Sequence, residues 1–271
     1  MQLYDAHTHL NQENFFPDWQ THLQAFIAAG GKGLVNIGAN AGYNERGLAI
    51  AQKSTEFFPA CWVKAAIGFH PCDVEALGEE WEEALAQLKE EILTHREEVV
   101  AIGECGIDLH YDQVGTSLPL QKKVFKAQCE LARSLKLPIV IHSRDAFEET
   151  LEILEPYPDL KIYFHCWGYT EKELQILLSL FPKLFVGFCG NVSYPKAEGL
   201  RASLKTLPKE QLLIETDAPY LAPQGFRGQV NTPEKVKVIG SFIAQFLERE
   251  EEELWKQVEQ NFWALYQGKI N

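Results

Sequence analysis

Short apolar runs rich in β-branched residues recur along the chain at 3–6, 34–37, 63–68, 99–103, 139–141, 162–164, 184–187 and 212–214, each bounded by glycine, proline or polar residues. Between them lie longer stretches in which apolar positions return every three or four residues: 19–29, 44–57, 79–95, 120–135, 146–154, 171–180, 196–206, 233–247 and 251–266. The first pattern predicts strands buried on both faces and the second predicts amphipathic helices. Strand then helix, repeated, implies parallel strands joined by crossovers, which bury both sheet faces only beneath an outer layer of helices. Eight such strands permit closure, so the expected fold is α/β, a single (β/α)8 TIM barrel over residues 1–271. An open doubly wound sheet is the competing architecture. Its glycine-rich phosphate turn is missing, because the first strand runs straight into His7-Thr8-His9.

The length of 271 residues suits one barrel, and 46% hydrophobic with 23% charged residues excludes a largely disordered chain. No stretch approaches the roughly 18 apolar residues of a membrane helix. The opening MQLYDAHTHL lacks a basic segment followed by an apolar one. A cytoplasmic monomer with no membrane association is therefore expected. The six cysteines are scattered without CxxC spacing and read as reduced, buried thiols rather than metal ligands. A net charge of −13 excludes broad nonspecific affinity for nucleic acid, so a polyanionic substrate has to be captured locally. The acid-rich stretches at 79–98 and 248–253 read as solvated helix faces.

Metal-competent side chains follow the apolar runs, at the end where a barrel gathers its active site. His7 and His9 leave the first strand as alternate residues of an extended segment, so both imidazoles point the same way and can grip one ion. Glu104 follows Ala-Ile-Gly, His142 follows Pro-Ile-Val-Ile, His165 follows Lys-Ile-Tyr-Phe, and Asp217 lies in LLIETDAP. Five of the eight histidines (His7, His9, His70, His142, His165) fall at strand ends, while His22 and His95 fall in helices and His110 in a loop. One HxH pair is ordinary; the whole set is a candidate metal centre. Imidazole with carboxylate suits Zn, Mn, Ni or Fe, whereas Mg prefers oxygen. Asp108, four residues past Glu104, reads either as a group orienting a ligand imidazole or as a turn cap. His70, Arg144 and Arg227 are candidate phosphate-binding groups.

The stretches DAHTHL, IGECGID, PIVIHSRDA, FHCWG and ETDAPYLAP, followed by RGxxNxP at 227–233, resemble in this order the TatD family of metal-dependent deoxyribonucleases within the amidohydrolase superfamily. The resemblance spans essentially the whole chain. It implies a hydrolase with two divalent metal ions, in which His7, His9 and Asp217 hold one, His142 and His165 hold the other, and Glu104 bridges them. It further implies 3′–5′ cleavage of DNA, single-stranded or at exposed 3′ ends, with Mg or Mn dependence. Glu104 and Asp217 are the expected catalytic carboxylates, the second taking a proton from the attacking water. With about +4 from two ions and −2 from these carboxylates, the site is expected to carry about +2. The chain departs from the family at Trp167, where HCFSG is common, and at Leu120 before Gln121. Trp167 is read either as a surface on which a base stacks or as a packing aromatic.

Two other readings compete. A barrel of this superfamily can instead hydrolyse a small amide, ester or lactone with the same activated water. Related phosphotriesterases bridge their metals with a carbamylated lysine, and Glu104 stands here instead. A catalytically dead interaction protein is expected to have lost at least one of the six ligands, and all are present.

Overall fold

The computed structural model describes residues 1–111 and 116–267; of the domain expected over 1–271, residues 112–115 and 268–271 lie outside the described residues. The strands are β1 (Leu3–Thr8), β2 (Gly31–Ile37), β3 (Trp62–Ile67), β4 (Val99–Asp108), β5 (Ile139–Arg144), β6 (Ile162–Phe164), β7 (Leu184–Phe188) and β8 (Leu212–Ile214). They pair in parallel in chain order, β1 through β8. The helices are α1 (Trp19–Ala28), α2 (Ala41–Phe57), α3 (Trp81–Thr94), α4 (Leu118–Leu135), α5 (Phe147–Leu154), α6 (Glu171–Leu180), α7 (Glu198–Thr206), α8 (Val236–Phe246) and α9 (Glu251–Tyr266). Strands buried on both faces inside a helical layer are what near-continuous apolar runs require. The fold is the (β/α)8 barrel that the periodicity predicts. Among the described residues no helix is long and apolar enough to cross a membrane.

The seam between β1 and β8 is held by backbone beyond β8 and by one side chain. Asp217 N donates to His7 O at 3.0 Å and His9 N to Ala218 O at 2.7 Å. Beneath them the buried Asp5 carboxyl group meets Thr216 N at 2.9 Å and Thr216 Oγ1 at 2.6 Å. Closure and site construction therefore use the same residues.

Several strands run further than their apolar stretches. β1 reaches Thr8, β4 continues from the expected end at 103 to Asp108, and β5 continues from 141 to Arg144. The backbone ladder persists there, with Gly106 opposite His142 and Asp108 opposite Arg144. Hydrophobic patterning ends where side chains turn polar, but hydrogen bonding does not. His7, Glu104 and His142 consequently lie inside strands rather than just after them. The helix expected at 233–247 begins with a 3-10 turn at Pro233–Lys235, and the one expected at 79–95 starts at Trp81 after a 3-10 stretch broken at Gly78 (φ 52). α2 starts three residues earlier than expected, at Ala41, where the Asn40 side chain accepts from Tyr43 N at 3.1 Å.

Where strands diverge toward the site, buried amides replace missing ladder partners. Asn44 receives Gly68 N at 3.2 Å and donates to Gly68 O at 3.1 Å. Gln128 does the same for Phe69 at 2.9 and 3.1 Å, and Gln121 for Asp108 at 2.9 and 3.1 Å. Asn231 donates to Thr216 O and Tyr220 O at 2.8 and 2.7 Å. Each clamp satisfies buried backbone groups that water cannot reach, and each fixes the exit of a strand.

β4 and β5 approach so closely that a Cβ at Gly106 would lie 1.9 Å from His142 O, and Gly106 has φ 146, a conformation other residues rarely adopt. Gly106→Ala is expected to cost about 3 kcal/mol through overpacking and backbone strain. In a thermal melt this appears as a Tm lower by roughly 5–10 °C. A Tm equal to that of the wild type contradicts the close approach.

Candidate metal centre

Glu104 is buried in β4 and is met from both sides by imidazoles carried on, or one residue beyond, other strands. On one side its Oε2 lies 3.4 Å from His7 Nε2 and 3.7 Å from His9 Nε2. Those two nitrogens are 3.1 Å apart, and Asp217 Oδ1 lies 3.6 and 3.4 Å from them. On the other side its Oε1 lies 2.7 Å from His165 Nε2 and 2.8 Å from His142 Nδ1, themselves 3.3 Å apart. The six residues expected to assemble from the sequence are thus brought together, as two donor groups sharing one carboxylate. Asp217 (φ 54) and Cys166 (φ 42), the residue after His165, turn the chain through the left-handed region as it leaves β8 and β6. Such strain is commonly stored at functional sites.

Hydrogen bonds fix which nitrogen of His9 and of His142 can bind a cation. His9 Nδ1 lies 2.9 Å from Ile37 O, which can only accept, so Nδ1 carries the proton and the Nε2 lone pair faces His7 and Asp217. His142 Nε2 lies 2.9 Å from Asp108 Oδ2. Burial alone would raise the Asp108 carboxyl group, but the hydrogen bond from His142 wins and holds it down at about 2. Asp108 is therefore an ionised acceptor, and the His142 Nδ1 lone pair is aimed at Glu104. This is the imidazole-orienting role of the two that the sequence left open. Converging lone pairs and carboxylate oxygens repel unless a cation lies among them. Among His7, His9, Asp217 and Glu104 Oε2 the separations of 3.1–3.7 Å bracket the roughly 3.4 Å kept by ligands about 2.1 Å from a tetrahedral ion, while the 2.7 and 2.8 Å contacts of Glu104 Oε1 are hydrogen-bond lengths that metal would replace. The residues fit divalent metal.

The electrostatics agree. Burial alone would raise the Glu104 carboxyl group, but His165, His70 and His142 outweigh it and hold it well below the usual range. Burial alone would lower His165, but Glu104 and then Glu215 hold it well above the imidazole range; against the same burial, Asp108 and Glu104 raise His142, and Asp217 and Glu104 raise His9. His7 is pushed down by burial and then by His165. The field that draws protons to these rings draws metal ions in competition with them.

His70 plays a different part. Its Nδ1 accepts from Cys72 N at 3.1 Å, so Nε2 carries the hydrogen and points toward Glu104 Oε1, 3.6 Å away. Burial and then the neighbouring His142 push the ring down to about 3, leaving a neutral donor beside the centre. Arg144 and Arg227 stand outside the ligand cluster, exposed, with guanidinium groups 5.2 Å over the Tyr111 ring and 4.4 Å over the Tyr194 ring. Trp167 is 1% exposed and packs against Phe164 and Tyr169, so it offers no surface for a base; the packing alternative holds. Cys105 is buried with its thiol toward Val140 O, not toward the centre.

Glu215 was not singled out from the sequence. Its Oε1 accepts Cys166 N at 2.6 Å and lies 3.6 Å from His165 Nδ1, while Oε2 accepts the Tyr163 hydroxyl. The available signal was alternation: two residues before Asp217, Glu215 shares its side of an extended segment, as Asp5 shares that of His7.

Removing the group that orients His142 tests the geometry. Asp108→Ala is expected to weaken zinc binding about 10- to 100-fold in a competition titration. Wild-type affinity contradicts the orientation argument.

Comparison with known proteins covers nearly all of the chain. The family model described as TatD related DNase matches residues 4–267. An uncharacterized metal-dependent hydrolase of Bacillus subtilis, YabD, is 34% identical over 255 residues, covering 93% of this chain and 94% of that one. The 3′-5′ ssDNA/RNA exonuclease TatD of Salmonella typhimurium is 33% identical over 225 residues, covering 82% and 81%. Among solved structures, YJJV, a TatD homologue from Escherichia coli K12, superposes with a TM-score of 0.88 at 26% identity over 98% of each chain. With the family model spanning both donor groups and the strands that carry them, the chain belongs to the TatD related DNase family.

Proposed function

We propose that this protein is a metal-dependent nuclease that cleaves phosphodiester bonds of single-stranded DNA or RNA from the 3′ end, working as a cytoplasmic monomer. The observation that carries the reading is the placement of the two Glu104 oxygens, one against His7 and His9, which Asp217 also meets, the other against His142 and His165. A carboxylate between two such donor groups is suited to bridging two ions. His7, His9 and Asp217 would hold one ion and His142 and His165 the other. When bound, a pair of divalent ions acidifies water and stabilises charge on the attacking and leaving oxygens of an in-line displacement. All donors come from one chain, so a monomer suffices. Membership of the family and a relative named as a 3′-5′ ssDNA/RNA exonuclease support the substrate class and polarity.

The chain's own groups then have distinct tasks. Burial alone would raise the Asp217 carboxyl group, but His9 and His7 hold it below the usual range, so it is an ionised acceptor. It takes the proton of the attacking water and passes it to the departing oxygen. His70 donates its Nε2 hydrogen to a phosphate oxygen. Arg144 and Arg227, neither ion-paired among the described residues, hold flanking phosphates. Zn, Mn, Mg, Ni and Fe are all candidates for the ions; the nitrogen-rich donor set favours a transition metal or zinc over magnesium.

Purified protein incubated with a 5′-labelled single-stranded oligonucleotide and Mn or Mg is expected to produce a ladder shortening from the 3′ end. A phosphorothioate block at the 3′ terminus stops it and one at the 5′ terminus does not. Glu104→Gln and Asp217→Asn are each expected to lower the rate at least about a hundredfold, beyond the loss typical of groups that only orient ligands. Equal cleavage by wild type and variants, or turnover of lactones with oligonucleotides untouched, would overturn the proposal.

A further inference from the structure

Two thiols meet at the edge of the centre. Cys166 follows His165 directly, Cys189 follows β7, and their sulfurs lie 3.2 Å apart. Asn191 sets their roles. Cys189 Sγ–H donates to Asn191 Oδ1 at 3.2 Å, and Asn191 Nδ2 donates to Cys166 Sγ at 3.7 Å. With its hydrogen directed at Asn191, Cys189 presents a sulfur lone pair to Cys166. Cys166 is the partly exposed member and Cys189 is fully buried, so a small solvent-borne oxidant meets Cys166 first.

We propose that Cys166 and Cys189 form a reversible disulfide, a thiol-modification site that displaces the ligand His165 and weakens metal binding. With hydrogen peroxide as oxidant, the Cys166 sulfur takes one peroxide oxygen as the O–O bond breaks, giving a sulfenic acid and one water. The Cys189 sulfur then attacks the Cys166 sulfur; the S–O bond breaks, the thiol proton leaves with the oxygen as a second water, and the S–S bond forms. Two electrons pass from the thiol pair to the peroxide.

The geometry decides which end gives way. A disulfide needs its sulfurs about 2.05 Å apart, so the pair must close by more than an ångström. Cys189 is backed by Gly190, where a Cβ would lie 2.0 Å from Leu221 O and 2.7 Å from Pro223 N, so that segment has no room to move. Cys166 already sits at φ 42, and its N–H is held by Glu215 at 2.6 Å. Closure therefore pulls on the peptide joined to His165, whose Nε2 faces Glu104 at 2.7 Å. The effect on metal rests on the ligand role proposed for His165; the disulfide itself does not.

The full-length protein is oxidised with hydrogen peroxide, free thiols are alkylated, and peptides are mapped by mass before zinc is titrated into reduced and oxidised samples. The expected result is a linked Cys166–Cys189 peptide and zinc affinity at one site weaker by about tenfold or more, both reversed by dithiothreitol. Cys189→Ser and Cys189→Ala are expected to yield no linked peptide, Cys166 stopping at the sulfenic acid, and to bind zinc like the reduced wild type before and after peroxide. Failure of the linked peptide to form overturns the proposal. So does a linked protein that binds zinc as the reduced one does, or equal peroxide sensitivity in the Cys189 variants. The peptide is read without nucleic-acid cleavage, so its failure is separable from failure of the nuclease assignment.

Discussion

A carboxylate cut off from water and ringed by five imidazoles is the constraint around which this barrel is built. His165, His142, His7, His70 and His9 all place a nitrogen within 3.7 Å of Glu104. An unpaired buried carboxylate costs several kcal/mol, and neutral imidazoles presenting lone pairs do not offset it. Positive charge has to enter the cluster, as protons or as metal ions. Protonation satisfies Glu104 but leaves imidazolium rings close together: burial and then His165, stacked 4.0 Å away, hold His7 down while Glu104 holds His165 up. Divalent metal held between the rings and Glu104 would satisfy the carboxylate without that crowding.

This changes how the centre attracts a substrate. Counting only Glu104 and Asp217 leaves a surplus of about +2 after two ions are added. Asp108 beneath His142 and Glu215 beside His165 bring the carboxylates to four, which balances two divalent ions. With metal bound in that number, a phosphodiester would be drawn by the metal itself and by cations outside the cluster, rather than by net charge within it. In a chain of net charge −13 the exposed guanidinium groups of Arg144 and Arg227 are suited to that task, each oriented by an aromatic ring beneath it.

The strand–helix order and all six metal-competent residues were legible in the sequence, because burial writes itself as apolar runs and the chemistry admits few residue types. What was not legible depended on neighbours distant in the chain. Asn44, Gln121, Gln128 and Asn231 look like ordinary polar residues until the strands they clamp are in place. Strand ends were placed too early because β4 and β5 continue as backbone ladders under polar side chains. The sidedness of Trp167 was hidden by Cys166, whose left-handed backbone interrupts the alternation that would otherwise predict it.

That interruption bears on how His165 is held at the end of one of the two shortest strands. β6 has three residues, too few for ladder bonds alone to fix His165. Glu215 clamps Cys166 N on one side, and Trp167 N donates to Gly187 O at 2.9 Å on the other. Gly187 leaves room for this, since a Cβ there would lie 2.5 Å from Glu215 Oε2 and 2.6 Å from the Tyr163 hydroxyl. The Trp167 ring, buried against Phe164 and Tyr169, then anchors the turn from below. Positional order at the metal centre thus comes from buried polar clamps and one inserted aromatic, and the exit of β6, which has both, is where the centre is best coupled to the chemistry of its neighbours.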